Sequence, residues 1–294
     1  MWLISGADVN TDSLSSRSMT FAMPLELNLS DQLFTYGVRI NPVVVQDIES
    51  HIIAVKVNEG SPQIVHPPWL YYPLIVPAPN HVITKNLDPV WLRYASDIDT
   101  VGSGNGIRKT ALLQTSGLSR TRGLPSMIDL NEIGRQHDRQ QFNNPHRIVA
   151  ILLEGEFPSV FHSRNARRLF PELQEKQSEK SIATKMLVVA DGNIARNDVR
   201  HMPGGTLPAF PLGYDRETRI TFANRDFLVN ALNYLTDDSG LMNLRNRKIK
   251  LPLLNKQQLL NEQLKWQIIN LVLPMLLLLA GGLAYIRWRR YRYG

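Results

Sequence analysis

Arg147-Ile148-Val149-Ala150-Ile151-Leu152-Leu153-Glu154 and, farther on, Lys185-Met186-Leu187-Val188-Val189-Ala190 are the stretches on which the fold turns. Each is a near-continuous apolar run. A strand with one wet face alternates apolar and polar residues, whereas a run apolar on both faces belongs to a central strand covered on both sides. The expectation is an α/β domain, a mostly parallel sheet flanked by helices. Outward from these runs, Met1–Ser5 reads as a third apolar strand, and His51–Val57, Val90–Ile98 and Thr110–Ser116 as further ones. The clearest helix is Asn224–Leu235, where Phe227, Leu228, Ala231, Leu232 and Leu235 recur at helical spacing. Asn224 can cap it, Asp226 suits its positive end, and Gly240 lies beyond its stop. Asp31–Tyr36 is a short helix. Asn41–Ser50 reads as another, with Asn41 as cap and Pro42 in the first turn. Gln63–Pro79 holds Pro67, Pro68, Pro73, Pro77 and Pro79, so it is expected as loop and edge. Residues 164–181 are dense in charge and read as a solvated excursion.

The C-terminus is of another kind. From Ile268 to Ile286 the one strongly polar residue is Asn270. At 1.5 Å per residue such a helix is about 28 Å long, close to the roughly 30 Å hydrocarbon core of a bilayer. Trp266 stands at one end, and Tyr285, Trp288, Tyr291 and Tyr293 at the other, as interfacial aromatics do. Pro274, Gly281 and Gly282 are tolerated in spanning helices. Arg287, Arg289, Arg290 and Arg292 follow, and positive charge stays cytoplasmic. The organisation expected is an extracytoplasmic domain over 1–250, a juxtamembrane segment over 251–265, a transmembrane helix over 266–287 and a basic cytoplasmic tail over 288–294. In a bacterium this is a single-pass inner-membrane protein with its bulk in the periplasm. Export of that bulk needs a signal, and Met1–Ser5 reads as a core strand instead. The expectation is therefore a longer protein whose front carries the export segment. The alternative is a tail-anchored chain facing the cytosol.

Charge supports the same division. The chain carries 33 basic and 26 acidic residues, a net +7. Setting aside the four terminal arginines leaves 29 against 26, which is no footprint for nucleic acid.

Little in the chain suggests catalysis. There is no cysteine, hence no thiolate nucleophile or thiolate metal ligand. Gly102 to Thr110 resembles a phosphate-binding loop ending in Lys109-Thr110. Its glycines stand at the wrong spacing, because Arg108 and Ser103 occupy the required glycine positions. The histidines are scattered, and no Gly-x-Ser-x-Gly elbow occurs. Asp191-Gly192 follows an apolar strand, and the carboxyl ends of parallel strands are where α/β ligand sites form. Asp191, Asn193 and Asp198 are the candidate ligand residues, with Glu154 and Glu156 able to join them. The other reading is a plain Asp-Gly turn. Asp97 and Asp99 alternate as an exposed face would. No catalytic residue, cofactor or metal site is expected.

Several strings carry a resemblance when taken in order. They are Gln32-Leu33-Phe34 with Tyr36 to Pro42, Tyr71-Tyr72-Pro73-Leu74-Ile75, Ile83-Thr84-Lys85-Asn86-Leu87 and Thr115-Ser116. Met186 to Gly192, Asn224 to Leu228 with Asn233-Tyr234-Leu235, and Trp266 to Asn270 with Leu273-Pro274 follow. Together they resemble the GldG family of Bacteroidetes, a gliding-associated subunit of an ABC transport system. The soluble part is similar to the ABC-transporter auxiliary domain and, through it, to a domain of an intraflagellar-transport subunit. The resemblance implies an inner-membrane protein partnered by an ATPase and a permease subunit, GldA-like and GldF-like, in gliding motility or its associated secretion. It defines no catalytic residues to carry over. Two other readings remain: a membrane-anchored hydrolase on an amidotransferase-like scaffold, whose usual cysteine is missing here, and a cytosol-facing or non-functional fragment.

Overall fold

The computed structural model describes the chain except residues 12, 15–17, 57–62, 103–105, 135–136, 160–177, 200, 203–204, 207–208, 238 and 243–262. Most of the charged excursion over 164–181, the centre of the Gly102–Thr110 loop and nearly all of 251–265 lie outside the described residues.

Both apolar runs form strands, Ile148–Gly155 and Thr184–Val189. They lie in the middle of a four-stranded sheet ordered Trp2–Leu3, Thr184–Val189, Ile148–Gly155, Arg108–Gln114. Burial on both faces is as expected. Val149, Leu152, Leu187 and Val189 pack into one cluster with Phe227, Leu228, Ala231 and Tyr234 of the helix Asn224–Thr236. Ile151, Leu153, Val188 and Ala190 pack into a second with Leu33, Tyr36 and Val38, from the helix Ser30–Thr35 and the strand after it.

Strand direction is where the expectation fails. Trp2–Leu3 pairs in parallel with Thr184–Val189. Ile148–Gly155 runs antiparallel to both its neighbours. Every other strand pairing among the described residues is antiparallel, in small sheets of two or three strands. A mostly parallel sheet flanked by helices is thus corrected to small, mostly antiparallel sheets with few helices. Two-sided burial reports what covers a strand and carries no information on its direction.

Three local expectations also change. Asn41–Ser50 is not a helix: Val43–Asp47 is a strand paired with Ser119–Gly123. Three consecutive β-branched valines lose rotamer freedom in a helix and pack well on a pleat. Within Gln63–Pro79, Pro68–Ile75 is the middle strand of a three-stranded sheet, with Trp69, Tyr71, Pro73 and Ile75 inward. Its pairing to Ser50–Ile52 is irregular, with Pro68 and Pro73 at the two matched positions. Irregular pairing is what lets a strand carry proline. Val90–Ile98 splits into Val90–Trp91 and Ile98–Thr100. Between them Tyr94 takes a left-handed backbone, φ 55°, which no strand continues through.

By internal contacts the chain divides into Met1–Asn246 and Arg247–Gly294. The second unit holds the helix Gln263–Tyr293, which runs past Pro274 and through the arginine-rich end. Its Gln267–Tyr293 stretch is long and apolar enough to cross a membrane.

Candidate functional site

The strand Thr184–Val189 runs into Ala190 and Asp191, and Asp191 shows only 1% of its surface. Its Oδ2 accepts the Arg93 backbone N–H at 2.8 Å. Its Oδ1 accepts the Asn193 N–H at 2.8 Å and so caps the 3-10 turn Gly192–Ala195. Asn193 donates from Nδ2 to the Arg93 carbonyl at 3.1 Å. The Arg93 guanidinium forks onto Asp198 at 2.8 and 2.7 Å, and it also lies 3.9 Å over the Trp91 ring. Asp191, Asn193 and Asp198 therefore do come together, and Arg93, which sequence reading missed, is what they share. Nothing local marks Arg93, since it stands 105 residues from Asp198.

The electrostatics follow from burial. Desolvation pushes the Asp191 carboxyl up to about 6, against the pull of the Arg93 and Asn193 N–H groups. Burial also pushes Asp198 upward, but the Arg93 fork outweighs it and holds the carboxyl below its usual range. Chemically the cluster ties three chain segments together. Asp191 presents almost no surface, whereas Asp198 and Arg93 are half-buried and reach solvent at their outer edges.

Glu154 and Glu156 do not join this cluster. Because Ile148–Gly155 is antiparallel to Thr184–Val189, Glu154 stands opposite Lys185, at the far end of the sheet from Asp191. There it takes the Tyr234 hydroxyl at 2.8 Å and the Arg108 Nε at 3.0 Å. Burial and the Glu154 carboxylate push the Tyr234 hydroxyl up to about 12.

Asp97 and Asp99 are not a plain exposed face either. Asn41 Nδ2 bridges Asp97 and Asp99 at 2.9 and 2.8 Å, and Arg147 Nη2 meets Asp99 at 2.8 Å and pairs with the buried Asp97. A further pair, His51 and Asp215, sits at 3.1 Å, with the histidine ring edge-on to Trp91 and Phe222. Burial pushes the His51 pKa down in spite of Asp215. Asp215 also accepts the Thr218 hydroxyl at 2.6 Å and its N–H at 2.8 Å, which closes the turn between them. Asn224 makes no cap: the helix is capped at Ala223. The Asn224 amide instead takes the Trp91 N–H at 2.9 Å and gives to its carbonyl at 2.7 Å.

Trp266, Asn270, Pro274, Arg287, Trp288, Arg289, Arg290 and Arg292, expected from the sequence to anchor the chain, all fall on the one helix Gln263–Tyr293. Asn270 and Pro274, four apart, share a face. Among the described residues no group of three or more histidine, aspartate or glutamate side chains is placed to hold a metal ion.

A family model described as an ABC-type uncharacterized transport system matches residues 1–231. No curated protein and no solved structure matches the chain.

Proposed function

The chain belongs to this ABC-type transport-system family, and on that premise we propose that it is a non-enzymatic, membrane-anchored auxiliary subunit whose soluble unit works by binding. The observation that carries the reading is the family match over nearly the whole soluble unit, joined in one chain to a helix able to span a bilayer. The chain has no phosphate-binding loop of its own, so energy for transport comes from a partner ATPase. The finer reading follows the resemblance to the gliding-associated GldG family. The soluble unit lies in the periplasm, the arginine-rich end lies in the cytoplasm, and the partners are a GldF-like permease and a GldA-like ATPase in gliding motility or its associated secretion. The positive-inside rule supports that orientation. Asn270 and Pro274 favour a partner helix on their shared face, where a polar group in lipid finds a hydrogen bond. A ligand of the soluble unit would sit at the Asp191–Asp198 loop, meeting Arg93 and Asp198.

Because the chain lacks cysteine, one introduced thiol reports on topology without background. Asn143→Cys is expected to react with a membrane-impermeant maleimide once the outer membrane is opened, and Gly294→Cys only after the inner membrane is lysed. The reverse pattern sinks the periplasmic reading. Co-purification of the permease and ATPase with the full chain tests the subunit reading itself.

A further inference from the structure

Met19–Pro24 is the middle strand of a three-stranded antiparallel sheet, between Ser126–Asp129 and Ala7–Val9. Thr20 and Ala22 point into the core. Alternation then turns Met19, Phe21 and Met23 to the opposite face, the one an antiparallel sheet usually gives to polar side chains. All three are exposed, Phe21 by 61%. Met127 stands directly opposite Phe21 and is exposed too. The exposed Leu25 and Leu27 come next along the chain and line an open groove of about 750 Å³, together with Ser5–Gly6, the helix Ser30–Thr35 and residues 39–42. Exposed large apolar side chains gathered on one sheet face mark an interaction surface.

Charge indicates what covers it. Asp8 stands opposite Met23, Asp129 opposite Met19, and Glu26 sits between Leu25 and Leu27. Glu26 also lines the groove, where Arg39 is the one base among the described residues. Together these carboxylates give the stripe an acidic rim. It repels anionic lipid. It also repels a second copy, because a two-fold interface would set acidic rim against acidic rim. We infer that the stripe and groove dock an apolar, basic segment of a partner protein, one in which aliphatic or aromatic side chains alternate with lysine or arginine. The inference deepens the subunit reading and rests on it for the existence of a partner.

The probes are two short synthetic peptides, one alternating leucine with lysine and the other leucine with glutamate, offered to the full chain in neutral-lipid nanodiscs. The lysine peptide is expected to bind at least about tenfold more tightly than the glutamate peptide, with the margin shrinking as salt rises. Phe21→Ser with Met127→Ser removes the binding, and Asp8→Asn with Glu26→Gln erases the preference for lysine. All four positions are exposed, so the circular dichroism spectrum stays unchanged. Equal binding of the two peptides overturns the inference, as does binding that survives the Phe21/Met127 change. Self-association abolished by that change, or displacement of the peptide by anionic vesicles, overturns it in favour of a second copy or a membrane. Loss of permease and ATPase co-purification from the unaltered chain defeats the subunit reading separately, whatever the peptides do.

Discussion

At the scale of single residues, Arg93 is the position on which most depends. Its backbone N–H meets Asp191, its carbonyl meets Asn193, its guanidinium meets Asp198, and it covers Trp91. Lysine offers a point charge where the fork and the flat stacking surface are needed. Arg93→Lys is expected to lower stability by about 1.5–3 kcal/mol, the usual worth of hydrogen bonds to charged groups, read as a fall in thermal midpoint of the full chain in detergent. Asp191 gives a pH signature. Its folded pKa, about 6, is raised above the ordinary 3.8. The folded state thus holds a proton that the unfolded chain has released between those values, and the stability tied to it is lost as pH rises from about 4 to about 6. Asp191→Asn is expected to flatten that part of the melting-temperature profile. It also leaves the protein less stable at neutral pH, since one of the two N–H donors to the carboxylate loses its acceptor. An unchanged slope refutes the assignment. The turn here was readable from Asp-Gly, but its burial and its arginine were not, because each depends on residues about a hundred positions away.

At the scale of elements, the helix Asn224–Thr236 shows why periodicity worked where it did. Phe227 is fully buried against the central sheet, while Leu232, counted with the apolar face in the sequence, is 52% exposed. Phe227→Ala is expected to cost about 3–5 kcal/mol and Leu232→Ala well under about 1 kcal/mol, compared by denaturant midpoints. Similar losses at both would mean that the helix packs with a different face. The start of the same helix departs from the sequence pattern. Asn224 has the chemistry of a cap, yet its amide satisfies both backbone groups of Trp91, which are buried and have no water to turn to. The proline-rich segment failed for a related reason. Proline penalises a strand only where the ladder needs its N–H, and Pro68–Ile75 pairs irregularly.

At the scale of the whole molecule, the unit Met1–Asn246 and the apolar helix make separate demands on their surroundings. Deleting 263–294 is expected to move the protein from the membrane fraction to the supernatant after ultracentrifugation. Retention in the membrane would show that another segment, or a partner, also holds it there. Local residue pattern is enough to show that Ile148–Leu153 and Met186–Val189 are buried on both faces, that a helix covers Asn224–Leu235, and that the C-terminus is apolar enough to span a bilayer. Each of those follows from side chains close together along the chain, where the hydrophobic effect leaves a readable pattern. Long-range packing sets the rest: the central strands run mostly antiparallel, Glu154 lies at the opposite end of the sheet from Asp191, Asp97 is buried against Arg147, and an apolar stripe around Phe21 stays exposed. Strand direction and charge pairing are settled by backbone hydrogen bonds and partners distant in sequence, and burial alone is indifferent to both.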